Sequence, residues 1–180
     1  LETARQLGME NYRQLFSPET ELGRWLMARN TMLRIGRNLF VHAGLSARLL
    51  ERDLEIETLN ARMSEGLYRT SKERREDPTL EFLYRSAGPV WYRGMVCADE
   101  KYDPLTPEQT GALLRRYDAD RLLVGHTIFP DISTFHDGRV IAVNVQNDLN
   151  RRKNRGRAVL IEGSRISVVG NRGVKRVLEE

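Results

Sequence analysis

The sequence contains little cysteine: Cys97 is the only one in 180 residues. A single cysteine excludes an internal disulfide, and it excludes a zinc site built from several thiolates. We expect Cys97 to be a small, partly buried apolar residue rather than a catalytic thiol.

Long hydrophobic runs are also missing. No apolar run approaches the ~20 residues that a membrane-spanning helix needs, so we expect no membrane partner. Residues 1–5 lack the apolar core of a secretory signal. The chain begins without methionine, in a segment of helical character, so a targeting segment could have been lost upstream. The compartment, cytoplasm or periplasm, is therefore left open.

What the sequence does contain is the composition of a soluble globular protein, with 40% hydrophobic and 30% charged residues. The formal net charge is +4, and the local excess lies in the basic segment 151–157. Because this segment has no interleaved aromatic residues for base stacking, we interpret it as a solvated loop and do not favour a nucleic-acid partner.

Apolar periodicity and turn residues predict helices in the first half of the chain and paired strands in the second. One helix is predicted over 17–29, with Ser17 as its N-cap and Trp25 in the core. Further helical segments are predicted over 46–85, which contains a charged, solvated connection at 71–77, and over 106–117. Strands are predicted over 31–35, 39–42, 122–125, 132–135, 140–145, 158–162 and 165–169.

No repeat or linker divides the chain, so we predict one domain over residues 1–180. Its fold class should be α/β (α+β), a mixed sheet flanked by helices.

Two of the three histidines follow apolar runs. His42 follows the run 39–41 and precedes small residues, and His126 follows the run 122–125 in the same way. A strand end is rigid and has an open side, and a neutral imidazole is a good ligand for transition metals. A single histidine of this kind is more often a hydrogen-bonded core residue, but the repetition favours a metal-binding pair. His136, in a predicted turn, is expected to be solvent-exposed and not a ligand.

Arg93 is the third candidate site residue, since it lies between the aromatic pair 91–92 and Gly94. Its planar guanidinium matches phosphate oxygens in a bidentate way. A structural stacking role is the alternative, and the spacing alone leaves both open.

The chain offers no convincing bridging acid. A two-metal site needs carboxylates, one of which holds the ions ~3.5–4 Å apart. The acids near the motifs are Asp120, Asp131 and Asp148, and Asp120 is better interpreted as a turn residue before a strand. We therefore assign no catalytic residue.

The segments 39–46 and 124–127 resemble the two late histidine motifs of calcineurin-like metallophosphoesterases. The segments 22–26 and 88–94 look most like the bacterial Shewanella-like protein phosphatase branch, and the resemblance runs from about residue 1 to about 170. It implies two packed mixed sheets flanked by helices, with two divalent ions (Mn, Fe or Zn) at the strand ends.

By this resemblance His42 and His126 would ligate the second metal ion, and Arg93 would hold the phosphate of the substrate. The family's early motifs, Asp-x-His, Gly-Asp-x-x-Asp-Arg-Gly and Gly-Asn-His-Glu, do not occur here. Asn144 lies near a position where relatives tend to carry aspartate. We interpret the chain as the C-terminal half of such a two-sheet sandwich, with the N-terminal part absent.

The expected function is metal-dependent hydrolysis of phosphomonoesters, including phosphoproteins, by the intact protein. The 180 residues alone should bind at most one metal ion weakly and should not turn over. Self-association is expected, because half of a two-sheet core leaves strand edges and an apolar face uncovered.

Three alternatives remain. A dinucleoside polyphosphate hydrolase would use the basic segment 151–157 for the additional phosphates. A non-catalytic binding or regulatory module would have kept the fold and lost the chemistry. A nucleic-acid binder would lose affinity steeply with salt.

Overall fold

The computed structural model describes residue 8 and residues 14–179, which form two β-sheets with helices around them. The helices are α1 (Glu21–Met27), α2 (Arg48–Arg52), α3 (Ile56–Gly66), α4 (Ser71–Arg75), α5 (Pro78–Tyr84), α6 (Pro107–Arg116) and α7 (Asn147–Arg152). The strands are β1 (Met32–Ile35), β2 (Asn38–Val41), β3 (Arg121–Val124), β4 (Ser133–Phe135), β5 (Val140–Ala142), β6 (Ala158–Glu162), β7 (Arg165–Val169) and β8 (Lys175–Glu179). Short 3₁₀ helices lie at Glu100–Tyr102 and Asn171–Gly173. The predicted mixed α/β class is confirmed.

The larger sheet has five strands in the order β1-β2-β3-β5-β4. Its centre is parallel, since β2 pairs with β3 and β3 with β5 in that sense, and the β1–β2 and β4–β5 hairpins close its two sides. The carboxyl ends of parallel strands lie at the same edge of a sheet. The ends of β2, β3 and β5 therefore meet at one edge.

The central strand β3 has both faces covered. Leu122 and Val124 belong to a hydrophobic cluster that the helices complete, whereas Leu123 belongs to a second cluster. That second cluster contains Ile166 and Val168 of β7, in the three-stranded sheet β6-β7-β8. The five-stranded sheet thus packs against helices on one face and against the smaller sheet on the other, which fixes the strand ends rigidly.

Several boundaries differ from the sequence-based predictions. The helix predicted from Ser17 begins instead after Thr20, whose side chain accepts a hydrogen bond of 3.0 Å from the Gly23 amide. Trp25 is 52% exposed and packs against the Arg29 guanidinium, so its placement in the core was wrong. The charged connection predicted at 71–77 contains helix α4, which a Thr70–Glu73 capping box begins. Strand β8 and helix α7 were not predicted.

Within the part of the chain that the structure describes, no helix has the length and apolar character to cross a membrane.

Helix α6 gives a test of the local sequence signals. Thr106 caps it, Pro107 occupies its first position, and the Gln109 side chain bonds back to the Thr106 amide. Thr106→Ala should lower the free energy of unfolding by about 1 kcal/mol, because an amide at the helix start loses its partner. Urea denaturation measures this, with Thr106→Ser, which keeps the hydroxyl, as the control. Equal losses in the two variants would contradict the capping role.

Candidate metal and phosphate site

The candidate site lies where β2 and β3 end side by side. Val41 pairs with Val124 in the parallel register, so His42 and Gly125 follow at the same level. The Gly125 amide donates to the His42 carbonyl at 2.8 Å, which ties the two strand ends together. A Cβ atom at Gly125 would lie 3.3 Å from that carbonyl oxygen, so glycine permits the close approach.

The segment 88–95 packs against the end of β2. The Ala43 amide donates to the Pro89 carbonyl at 2.9 Å, and a Cβ atom at Gly44 would lie 3.0 Å from the Tyr92 carbonyl oxygen. Small residues after His42 therefore admit a second backbone segment. This contact brings the Trp-Tyr-Arg-Gly motif beside the histidines.

The two strand-end histidines converge. Nε2 of His42 lies 3.1 Å from Nδ1 of His126. His126 has a φ of +57°, in the left-handed region, and this turn of the backbone directs its ring toward His42. The Asn144 side-chain amide donates to the His126 carbonyl at 3.3 Å and supports the turned peptide.

The environment of His126 favours its neutral form. The ring is half-buried, and burial, the positive charge of Arg93 and the nearby His42 together lower the pKa of His126. The Trp91 ring meets it edge-on, with 5.5 Å between the ring centroids. Nε2 of His126 is buried, and it has no hydrogen-bond partner among the described residues. Neutral imidazole is the form that binds metal ions.

Arg93 lies beside this pair. Its Nη1 donates to the Thr127 hydroxyl at 2.9 Å, and its guanidinium faces the Tyr102 ring. No carboxylate within residue 8 or 14–179 forms an ion pair with Arg93, so its charge is available to an anion.

The backbone that carries Arg93 is held firmly. The buried Tyr92 hydroxyl donates to the Asp103 carbonyl, and a side chain at Gly94 would overlap that hydroxyl. Both interpretations of Arg93 that the spacing left open find support here, because the guanidinium faces the Tyr102 ring and its charge also acts on His126.

The donor set fits part of a metal site. Two imidazole nitrogens 3.1 Å apart are spaced as two ligands of one ion with bonds of about 2.1 Å would be. Over the described ranges, however, no group of three or more His, Cys, Asp or Glu side chains could hold a metal ion. Asp120 pairs with Arg37 and Asp131 with Arg157, so neither carboxylate serves this edge of the sheet.

The third histidine lies elsewhere. His136 occupies a turn with φ of +52°, as its position between two strands suggests, but its ring is half-buried and not exposed. Its Nε2 lies 2.9 Å from the Met95 carbonyl, so it anchors the segment after Arg93. The sequence analysis did not identify Thr127 or Trp91 as site residues. The only sequence signals were that Thr127 follows His126 and that Trp91 lies close to Arg93.

Comparison of the structure with solved structures finds phosphatases. A cold-active protein tyrosine phosphatase is 28% identical, with a TM-score of 0.80 over 94% of this chain and 48% of that chain. The cold-active protein-tyrosine phosphatase of a psychrophilic Shewanella species is 27% identical, with a TM-score of 0.80 over 93% and 48%.

These similarities support a phosphatase-like fold, and the chain spans about half the length of the structures that it matches. No protein-family model matches the sequence, and no curated protein matches it significantly.

The lowered pKa of His126 leads to a test. In metal-free protein His126 should lose its ring proton below the ordinary histidine value of about 6.5, because burial and Arg93 disfavour the imidazolium. Arg93→Met should raise the pKa of His126 by removing one positive neighbour. Titration of the imidazole signals by NMR measures both, with Arg85→Met as a charge-matched control. A pKa at or above 6.5 in the parent protein would contradict the interpretation.

Proposed function

We propose that the protein is a metal-dependent phosphatase that hydrolyses phosphomonoesters, with phosphotyrosine in proteins as the favoured substrate class. The observation that carries the proposal is the convergence of His42 and His126 beside Arg93 at one sheet edge. The similarity to solved structures named protein tyrosine phosphatases supports it.

The two imidazoles would hold one divalent ion, Mn, Fe or Zn, through His42 Nε2 and His126 Nδ1. When bound, such an ion supplies Lewis-acid chemistry at neutral pH. Burial first, and then the charge of Arg93, lower the pKa of His126 and favour the neutral ring, which can offer one nitrogen to an ion. The Trp91 ring covers one side of His126 and limits the access of water there.

Arg93 would bind the phosphate. Thr127 occupies one of its donors and fixes the direction of the guanidinium, which leaves other N–H groups for phosphate oxygens. A planar fork held in this way accepts two oxygens of a tetrahedral anion. The phosphorus atom would then lie between the guanidinium and the imidazole pair.

We further propose that these 180 residues carry only part of a dinuclear site. Two imidazoles leave a divalent ion mostly hydrated, and neither Asp120 nor Asp131 is available to bridge two ions. A groove of about 570 Å³ beside His42, lined mainly by apolar residues such as Leu33, Phe40 and Val143, offers room for further polypeptide. The matched structures are about twice as long as this chain.

A dinucleoside polyphosphate hydrolase is a weaker candidate. It would need free cations in the segment 151–157 for the additional phosphates. Arg157 pairs with Asp131 at 2.6 Å, and Arg155 bonds to the Asn150 side chain and to the Pro130 carbonyl. These two arginines are committed to the fold, whereas Arg151, Arg152 and Lys153 are exposed and remain for additional phosphates.

The proposed metal-binding role of the histidine pair can be tested directly by calorimetric titration of the 180-residue chain with Mn²⁺. We expect a single weak site, because two ligands replace few of the waters around the ion. His42→Ala and His126→Ala should each abolish the binding heat. His136→Gln should retain it, since His136 faces the Met95 carbonyl. Unchanged binding in the first two variants would refute the imidazole pair as ligands.

Activity measurements distinguish the proposal that the protein is a phosphatase from the proposal that these 180 residues carry only part of its site. With p-nitrophenyl phosphate and Mn²⁺ the 180 residues should show no turnover, whereas the product of the extended upstream reading frame should be active. In that longer protein Arg93→Met should lower kcat by about 100-fold, because a hydrogen-bond donor that stabilises the negative charge of the transition state is lost. Inactivity of the longer protein on all phosphomonoesters would refute the phosphatase. Robust turnover by the 180 residues, lost in His42→Ala, would refute the incomplete site.

A further inference from the structure

A second groove opens directly from the candidate site. It has a volume of about 650 Å³ and lies between helices α4 and α5 and the segment 91–102. Arg93 and Trp91 line it, and the same two residues contact Thr127 and His126 respectively. A phosphate at Arg93 would therefore place the rest of its substrate at the mouth of this groove.

The groove is positively charged. Its walls contain four arginines and a single carboxylate, Glu81, which pairs loosely with Arg85 at 3.3 Å. Arg74 donates to two backbone carbonyls and stacks on the Tyr84 ring, so it is fixed in place without a carboxylate partner.

Two of these arginines are accessible at the rim. Arg75 is exposed and bonds only to the Ser71 carbonyl among the described residues, and the Arg85 side chain is 61% exposed. Arg75 is the last residue of α4 and Arg85 follows α5, so two separate elements present cations to the same space. Such an arrangement complements a ligand that carries more than one negative charge.

Aromatic side chains complete the lining. Trp91 is 55% exposed, and Tyr102 is half-buried beside Arg93. Rigid aromatic rings next to arginines are typical of protein recognition surfaces, because they supply contact area at a low cost in entropy. The groove therefore suits an extended chain with acidic groups and some apolar surface.

The geometry points to an acidic peptide as the occupant: the segment that flanks the phosphorylated residue of a protein substrate. Arg75 and Arg85 would take its carboxylates, Trp91 would pack against its side chains, and Arg93 would hold the phosphate. This assignment rests on the proposed phosphatase function, and it gives that function a sequence preference.

Fluorescence anisotropy of labelled peptides with the 180-residue chain and Mn²⁺ tests the assignment. A phosphotyrosine peptide with glutamates on both sides should bind about tenfold more tightly than the same peptide with glutamines. The double variant Arg75→Gln, Arg85→Gln should remove that preference. The control, Arg115→Gln with Arg139→Gln, removes the same amount of charge from exposed arginines outside the groove. This control should retain the preference for the glutamate-flanked peptide.

A charge-reversal variant distinguishes the loss of specific charge contacts from the loss of folding. Arg75→Glu with Arg85→Glu should favour a lysine-flanked phosphopeptide over the glutamate-flanked one. The assignment would be overturned if the parent protein bound the glutamate-flanked and glutamine-flanked peptides with equal affinity. It would also be overturned if neither double variant changed the preference between peptides.

The unphosphorylated acidic peptide separates the two proposals. If it binds as tightly as the phosphorylated form and responds to the groove variants, the groove stands and the phosphate site at Arg93 fails. If phosphorylation strengthens binding but the flanking charges do nothing, the phosphatase proposal survives and the groove assignment fails.

Discussion

The parallel register between β2 and β3 is the constraint on which the site depends. It pairs Val41 with Val124, so the first residues beyond the two strands emerge together, and the Gly125 amide locks onto the His42 carbonyl. A slip of one residue would turn every side chain of a strand to the opposite face. Because Leu122 and Val124 pack in one hydrophobic cluster and Leu123 in the other, such a slip would exchange residues between the two clusters and disrupt the packing of both. Packing thereby fixes the approach of the two imidazoles.

The site gives up some stability at His126. A residue other than glycine in the left-handed region costs roughly 1 kcal/mol or more. The buried Nε2 of His126, which has no hydrogen-bond partner within the described part of the chain, adds a penalty of similar size. Sequence selection for stability alone would place asparagine or glycine there. The left-handed backbone accompanies the approach of His126 Nδ1 to His42 Nε2, and strain of this kind collects at functional sites.

The hairpins and the positions of His42 and His126 at strand ends could be predicted from the sequence because their signals are local. Glycines at the β1–β2 and β6–β7 turns, Gly36 and Gly163, have positive φ and mark the hairpins, and the apolar runs before His42 and His126 mark buried strands. The start of α4 had a local signal that was missed, the Thr70–Glu73 capping box. The arginine groove had none, because residues of α4, α5 and the segment 91–102 come together only through tertiary packing.

Arg93 creates an electrostatic conflict that a substrate would resolve. Burial first, and then the charge of Arg93, lower the pKa of His126, so the guanidinium disfavours a cation at the imidazole pair. A divalent ion held there would experience the same repulsion. A phosphate dianion between the guanidinium and the ion would be attracted to both and would screen each from the other. The arrangement is therefore better suited to an ion and a phosphate together than to either alone, which is why metal binding without substrate is expected to be weak.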